Sequence, residues 1–367
     1  MGIRKTFRYL KRILLKTRKG MNWDVFVYDP FTKPKVDLLH TFNHVCNAGG
    51  LPWIVTFEST VPRTNQTVNR PWEKDGKEYT PDKFTGKSIN FLADDSCKAC
   101  IAISMSAFNI QRNMLNHMNV SSKVKESING KTIILHPPQE LLCTEEEVKQ
   151  KYLNIHQCIE ILFVGRMFYR KGGKMIVEAL EKCLPAETKF HLTIVSSFQE
   201  DNGLYMEDSE YTLALKEKLE NTSWITWIKS LPNSEVLKLC KKAHVGCLPT
   251  LQDTYGYSTL EMQACGCPVI TTNVRACPEI NSEECGWIVP IKIDNIGGEA
   301  ILFNREDRKE REEEIVNGLV RVFNDIFENP DKIEEKALNA RKRIVKEHSL
   351  EEYEKKLNAL YRKAIND

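Results

Sequence analysis

No stretch of the 367-residue chain reaches the ~18–20 uncharged apolar residues that a membrane-spanning helix needs. Neither sign of charge dominates: 52 Lys and Arg stand against 50 Asp and Glu, a net of +2. That balance argues against a surface tuned throughout for nucleic acid. The Walker spacing and the GxGxxG signature are missing, which disfavours a nucleotide triphosphatase and a dinucleotide dehydrogenase. There is no repeat at solenoid periods, and the apolar run Ile13–Leu15 is far too short for a secretory signal. What remains is a globular composition, 41% hydrophobic and 28% charged, incompatible with disorder or a fibre. At roughly 100–200 residues per domain, two domains are expected. Twelve cysteines are present, several inside apolar runs such as Val245–Leu248, as free thiols sit in cores under reducing conditions. Cys97-Lys-Ala-Cys100 has a zinc-like or redox-like spacing but no second matching pair, and reads as core packing.

The charge is uneven along the chain. Residues 1–20 carry eight Lys or Arg and no acid, leaving the remainder at −6. Ile3, Phe7, Leu10 and Leu14 share one helical face and Arg4, Arg8, Lys11 and Arg12 cover the others. Such a basic amphipathic helix suits an anionic membrane surface.

Beyond it, β-rich runs at Trp23–Tyr28, Val36–His40, Trp53–Phe57, Ala99–Ser104 and Thr132–Leu135 alternate in part with helical patterns such as Ser106–Met118. Residues 58–90, polar and broken by Pro62, Pro71 and Pro81, read as a long loop, and Pro137 to His156 as a linker. The alternation then restarts, with strands at Ile159–Val164, His191–Ser196, Ile225–Trp227, Val245–Leu248 and Val269–Thr271. Helices are expected at Gly173–Lys182, Leu213–Asn221, Ser234–Lys242 and Ser258–Cys265. The tail from Arg308 is charged and helical with a break near Asn329-Pro330. This is an α/β pattern of parallel sheets covered by helices, in two Rossmann-like halves.

The chemistry concentrates between Ile159 and Ile280. An apolar strand ends at Gly165-Arg166, and Lys171-Gly172-Gly173 opens the next helix. Glycines let the backbone approach a ligand, a helix N-terminus favours anions, and Arg166 and Lys171 add two positive charges at the strand's carboxyl end. A diphosphate fits that combination. The strand Val245–Leu248 leads into a loop with Asp253, and Glu261 follows about one turn into the next helix. Gly256, Tyr257, Ser258 and Thr259 form that helix mouth, where free N–H groups can hold phosphate. Glu261 can accept two hydrogen bonds from vicinal hydroxyls, as on a ribose, and Asp253 can hold sugar hydroxyls.

Gly165–Lys171, the acid-x7-acid element with its Gly256, the strand entry Gly266–Val269 and Pro278-Glu279 resemble, in order and spacing over about 120 residues, the C-terminal domain of retaining GT-B glycosyltransferases, specifically glycosyltransferase family 4. The resemblance implies a nucleotide-diphosphate sugar donor held by the second domain, an acceptor held by the first, and no metal. Carried over, Arg166 and Lys171 bind the diphosphate and stabilise the leaving phosphate. Glu261 grips the ribose and Asp253 contacts the transferred sugar. Gly165, Gly256, Tyr257, Ser258 and Thr259 line the donor. The family's usual first acid is Glu; here it is Asp253, whose carboxylate reaches one methylene less far. The first domain matches less closely. Pro52–Glu58 ends in Glu58 where many members have His, and the usual N-terminal Gly-Gly turn is missing. Glu58 and Arg63 after one strand, and His40 and Asn43 after the one before, are the candidates for the acceptor side.

The reading is therefore a GT-B fold, two Rossmann-like domains facing across a cleft with the N-terminal one abbreviated. The basic extension occupies 1–20, the acceptor domain 21–155, the donor domain 156–340, and a C-terminal helix packing back over the domains 341–367. The expected function is transfer of a hexosyl unit, with retention and without metal or cofactor, from a nucleotide-diphosphate sugar to a glycan or lipid-linked acceptor of the lipopolysaccharide, capsule or glycolipid type. A cytoplasmic placement, or a peripheral one on the inner face of the membrane, goes with it. A non-catalytic nucleotide-sugar-binding partner subunit is the main alternative; epimerisation or phosphorolysis on the same fold is the other.

Overall fold

The computed structural model of the chain describes residues 27–28, 34–47, 49–70, 72, 76–184, 187, 189–201 and 203–366. The amphipathic segment 1–20 and most of the strand expected at 23–28 lie outside the described residues. Among those described, no helix is long and apolar enough to cross a membrane.

The chain divides into two compact units. One gathers the described residues up to 102, residues 110–134 and the stretch from 359; the other gathers 103–109 and 135–358. The first contains β1 (Val27–Tyr28), β2 (Leu39–Phe42), β3 (Val45–Cys46), β4 (Trp53–Phe57), β5 (Cys97–Ala102) and β6 (Thr132–Ile134). Strands β2-β4-β5-β6 form a four-stranded parallel sheet in that order, and β1 pairs separately with β3. Every residue of β4 is buried, as a central parallel strand covered on both faces requires.

Its helices are α1 (Asn65–Asn69), α2 (Lys83–Ala93), α3 (Met105–His117) and α4 (Ser122–Gly130), α3 starting in the other unit's residues. The expected loop over 58–90 is thus corrected: it contains α1 and the start of α2. Thr64 closes a capping box with Thr67, and Asp82 accepts from the backbone of Phe84 and Thr85. The buried face of α2 is Thr85, Ser88, Ile89 and Leu92, half of it hydroxyls, so the apolar period that betrays a helix is faint. The second strand also moves. Val36 and Asp37 are exposed and β2 begins only at Leu39, so His40 stands within it rather than beyond its end.

The second unit carries β7 (Ile159–Val164), β8 (Phe190–Val195), β9 (Ile225–Ile228), β10 (Val245–Leu248), β11 (Val269–Thr272) and β12 (Gly286–Val289). Around them lie α5 (Glu145–Tyr152), α6 (Gly173–Lys182), α7 (Ser209–Asn221), α8 (Asn233–Lys242), α9 (Tyr257–Ala264), α10 (Cys277–Ile280), α11 (Arg305–Glu328), α12 (Lys332–Glu347) and α13 (Leu350–Asn366), the last ending in the first unit. Helix α5 replaces the linker expected before His156. Its Thr144–Glu147 capping box starts it, and Val148 and Tyr152 bury its short apolar side. Strand β12, absent from the expectations, is the run Gly286-Trp287-Ile288-Val289.

All six strands are parallel, in the order β12-β11-β10-β7-β8-β9. The first strand in the chain sits in the middle, the next two lie to one side and the last three to the other. Strand order therefore reverses between β7 and β10, which pair Ile161 with Val245 and Phe163 with Cys247. At such a switch point the loops leaving the two strands part in opposite directions and leave a crevice at the carboxyl edge, where ligands bind in open α/β sheets.

Candidate functional site

Both sequence-predicted donor segments leave the sheet at this switch point. Gly165 ends β7, its N–H donating to Val195 O at 3.0 Å. The loop that follows is anchored by aromatic residues. Phe168 is buried and stacks on Phe198, ring centroids 4.2 Å apart, with Tyr169 edge-on to both. That burial fixes an otherwise basic loop. Arg166 is exposed, and its guanidinium makes no hydrogen bond or ion pair among the described residues; its carbonyl accepts from Gln199 N at 2.8 Å.

The β7 and β10 loops meet backbone to backbone. Gly172 has φ +95°, and a Cβ there would lie 2.4 Å from Pro249 O, so only glycine permits the approach. Arg170 O accepts from Leu251 N at 2.9 Å and from Thr250 Oγ1 at 3.1 Å. This seam sets Lys171 opposite Asp253, and Lys171 Nζ donates to Asp253 Oδ2, the two side chains 14% and 15% exposed.

Helix α9 opens next to that pair. Gly256, φ +92°, is its N-cap and offers no side-chain cap; the Thr259 N–H donates to Gly256 O at 2.8 Å, and the positive end of the helix faces the crevice, where an anion is favoured. Tyr257 is 46% exposed at the mouth, Ser258 half-buried, and Thr259 fully buried with a hydroxyl that has no hydrogen-bond partner. Glu261 lies half-buried in the same helix and accepts from Asn233 Nδ2 at 3.0 Å, on the first residue of α8. One carboxylate oxygen is thus oriented by the protein, and the other remains for a further donor.

In the first unit three of the four acceptor-side candidates come together. Arg63 Nη1 pairs with Glu58 Oε1 at 2.7 Å. Asn43, in the left-handed region at φ +59°, donates from Nδ2 to the same Oε1 at 3.4 Å and accepts from Glu58 N at 3.2 Å. His40 stands apart from them, its ring nitrogens bonded to Thr56 Oγ1 at 2.8 Å and Tyr361 OH at 2.6 Å. Gln111 of α3 fixes the loop beyond β4 by a two-way bond to Val61, 2.8 Å from its N and 2.7 Å from its O.

Several residues of the second unit went unassigned in the sequence. Arg170 and Gln252 flank the Lys171–Asp253 pair, and Asn233 supports Glu261; their signal was adjacency to a motif residue or to a helix start, which many polar residues share. Glu279 accepts from the backbone N–H of Met105 at 2.6 Å and Ser106 at 2.8 Å. It thereby supplies the first turn of α3 with a carboxylate from far along the chain. Burial pushes its carboxyl up despite those bonds. Among the described residues no group of three or more His, Cys, Asp or Glu is arranged to hold a metal ion. Cys97 and Cys100 are both buried, their sulfurs 3.8 Å apart.

Residues 144–318 match the family model described as glycosyl transferases group 1. An uncharacterized glycosyltransferase of Methanocaldococcus jannaschii is 30% identical over 138 residues, 37% of this chain and 33% of that protein. The O-antigen chain mannosyltransferase B of Escherichia coli is 26% identical over 168 residues, 46% of this chain and 42% of that protein. The chain thus spans a third to two-fifths of the length of these curated relatives. Among solved structures, sucrose-phosphate synthase from Thermosynechococcus elongatus superposes with a TM-score of 0.58 at 17% identity, over 89% of this chain and 73% of that one. HepE of Anabaena, solved with UDP-glucose, gives 0.54 at 12% identity, over 89% and 79%. The chain has the GT-B fold of two Rossmann-like units, and its residues 144–318, which hold the switch-point site, match the glycosyl transferases group 1.

Proposed function

We propose that the chain is a retaining glycosyltransferase of family 4 type that moves a hexosyl unit from a nucleotide-diphosphate sugar to a glycan or lipid-linked acceptor. The observation that carries the reading is the Lys171–Asp253 pair beside the uncapped mouth of α9, at the strand-order reversal. A cation, a carboxylate and a helix N-terminus within one crevice match the leaving phosphate, the sugar hydroxyls and the diphosphate of a donor. The known proteins lend direction: HepE is a GT-B neighbour solved with UDP-glucose, and a curated relative is named as an O-antigen mannosyltransferase.

In this reading the diphosphate lies at the first turn of α9, against the backbone of Tyr257 and Ser258, with the Thr259 hydroxyl gaining its missing partner, the Thr259 N–H itself donating to Gly256 O at 2.8 Å. Glu261, oriented by Asn233, accepts from the ribose hydroxyls. As the bond from the anomeric carbon to the phosphate oxygen breaks, negative charge grows on that oxygen, and Lys171 and Arg166 offset it without a metal ion. Lys171 then exchanges Asp253 for phosphate, and Asp253 turns to the sugar hydroxyls. The acceptor hydroxyl attacks on the face the phosphate leaves and its proton passes to the departing phosphate, so the configuration is retained. Glu58, Arg63 and Asn43 form the acceptor-side group in the first unit, with His40 on β2 below it, and the basic segment 1–20 favours an acceptor presented at an anionic lipid surface.

A panel of UDP, GDP, ADP, CMP and their sugar conjugates, in EDTA, tests the donor site by thermal shift. One nucleoside diphosphate is expected to stabilise the chain, with at least tenfold weaker binding in Glu261→Ala. Lys171→Ala is expected to lower sugar transfer by about 10²–10³-fold. Transfer that survives both substitutions would sink the reading. The second reading, a nucleotide-sugar-binding subunit without catalysis, is favoured by the engagement of Glu58 by Arg63 and Asn43; donor binding with no turnover on any acceptor or water would select it.

A further inference from the structure

Arg170 has no role in the site as described, yet its side chain reaches the loops after β7, β8 and β10. Its Nε lies 2.8 Å from Asp201 Oδ2, in the loop after β8. Its Nη1 donates to Gln252 Oε1 at 3.3 Å, in the loop after β10, and its Nη2 meets Met167 Sδ in its own loop. The guanidinium stands 5.7 Å from the ring centroid of Tyr205, whose hydroxyl donates to the same Gln252 oxygen at 3.3 Å. A planar fork of five donors can serve three directions at once; a lysine ammonium at that place cannot.

The register of these contacts is informative. Arg170 immediately precedes Lys171, and Gln252 immediately precedes Asp253. The Arg170–Gln252 bond therefore runs one residue behind the Lys171–Asp253 pair and tethers both of its backbones. Without donor, Lys171 itself holds Asp253. Once a diphosphate claims the lysine, the carboxylate keeps only the Tyr255 N–H, 3.4 Å from Oδ1, and the loop behind it is held by Thr250 on the backbone and by the Arg170 guanidinium on the Gln252 side chain. We propose that Arg170 is a positioning residue of the donor site, which through Gln252 and Asp201 sets where Asp253 stands opposite the transferred sugar. The inference rests on the donor-site reading above and names no new contact with substrate. Its consequence is that Arg170 governs turnover more than nucleotide binding, because Glu261 and the mouth of α9 make no contact with it and Lys171 reaches a diphosphate by its own long side chain.

The test uses the full chain with Arg170→Met, Arg170→Lys and Gln252→Ala. The probe for binding is whichever of UDP, GDP, ADP or CMP stabilises the wild type most, and the probe for turnover is release of that nucleotide from its sugar conjugate. The expected result is a fall in kcat of at least tenfold in all three variants, with nucleotide Kd within about threefold of wild type. Retained charge in Arg170→Lys is expected to give no rescue, and Gln252→Ala, which keeps the Arg170–Asp201 pair, serves if the Arg170 variants fold poorly. Wild-type kcat in Gln252→Ala, or nucleotide binding lost in step with kcat and thermal stability, would overturn the inference while the donor site stands. A wild-type chain that binds none of these nucleotides and releases none overturns the donor-site reading, and the inference with it.

Discussion

The pairing of Lys171 with Asp253 joins positions 82 residues apart, and a single glycine decides whether it can form. At φ +95°, with Pro249 O 2.4 Å from where a Cβ would stand, Gly172 admits no side chain without moving backbone. Gly172→Ala is expected to destabilise the chain by about 2–4 kcal/mol, the left-handed penalty plus the overpacking cost. Urea unfolding measures it; a loss under about 0.5 kcal/mol would mean the seam yields freely. The residues Lys171, Asp253 and Glu261 were legible in the sequence because each sits at a fixed offset from a glycine or a helix start. Arg170 and Asn233 were not, because their partners lie on other loops and no spacing along the chain encodes them.

At the scale of elements, the site depends on β10 lying against β7. His244, just before β10, secures that edge. Its backbone N–H donates to Glu160 O at 2.8 Å and its Nδ1 accepts from Glu160 N at 3.0 Å, while Nε2 faces Lys151 O at 3.3 Å. Since Glu160 N can only donate, the ring is neutral with its proton on Nε2. Protonating Nδ1 would break the clamp, and burial holds the ring's pKa below its ordinary 6.5. A histidine depressed in this way contributes stability that is present above its unfolded pKa and lost as pH falls through the folded one. Wild type is therefore expected to lose stability relative to His244→Gln between pH 7.5 and 5, read from paired urea titrations. A constant gap between the two would show that the clamp does not titrate. The strands of the second unit were legible because continuous apolar runs of four to six residues are what two-sided burial demands. Helices α2 and α5 escaped because their buried faces are partly polar or only two residues wide. Their capping signals, Asp82 and Thr144–Glu147, were the better evidence.

For the molecule as a whole, charge separation along the chain is the property with a consequence. Eight cations in residues 1–20 precede a remainder of net −6. Each can contribute up to about 1 kcal/mol near an anionic leaflet, within a screening length of about 10 Å at 0.1 M salt. The full chain is expected to cosediment with phosphatidylglycerol vesicles at low salt and to be released near ~0.5 M, whereas vesicles of neutral lipid should leave it in the supernatant. Replacing Arg8, Lys11 and Arg12 by Glu should abolish the sedimentation; if it does not, the attraction lies elsewhere on the molecule.

The amino-acid sequence by itself determined the α/β class, the two Rossmann-like halves and the residue types at the carboxyl edge of the second sheet, because these follow from local period, turn chemistry and fixed spacing. The tertiary structure alone decided the strand order, with its reversal between β7 and β10, and with it which loops face one another. It also decided that Asn43, Glu58 and Arg63 gather while His40 lies in a strand, and that Arg170 joins the loops after β7, β8 and β10. Those are contacts between segments remote in the chain, set by how sheets twist and pack, and no period along a sequence records them.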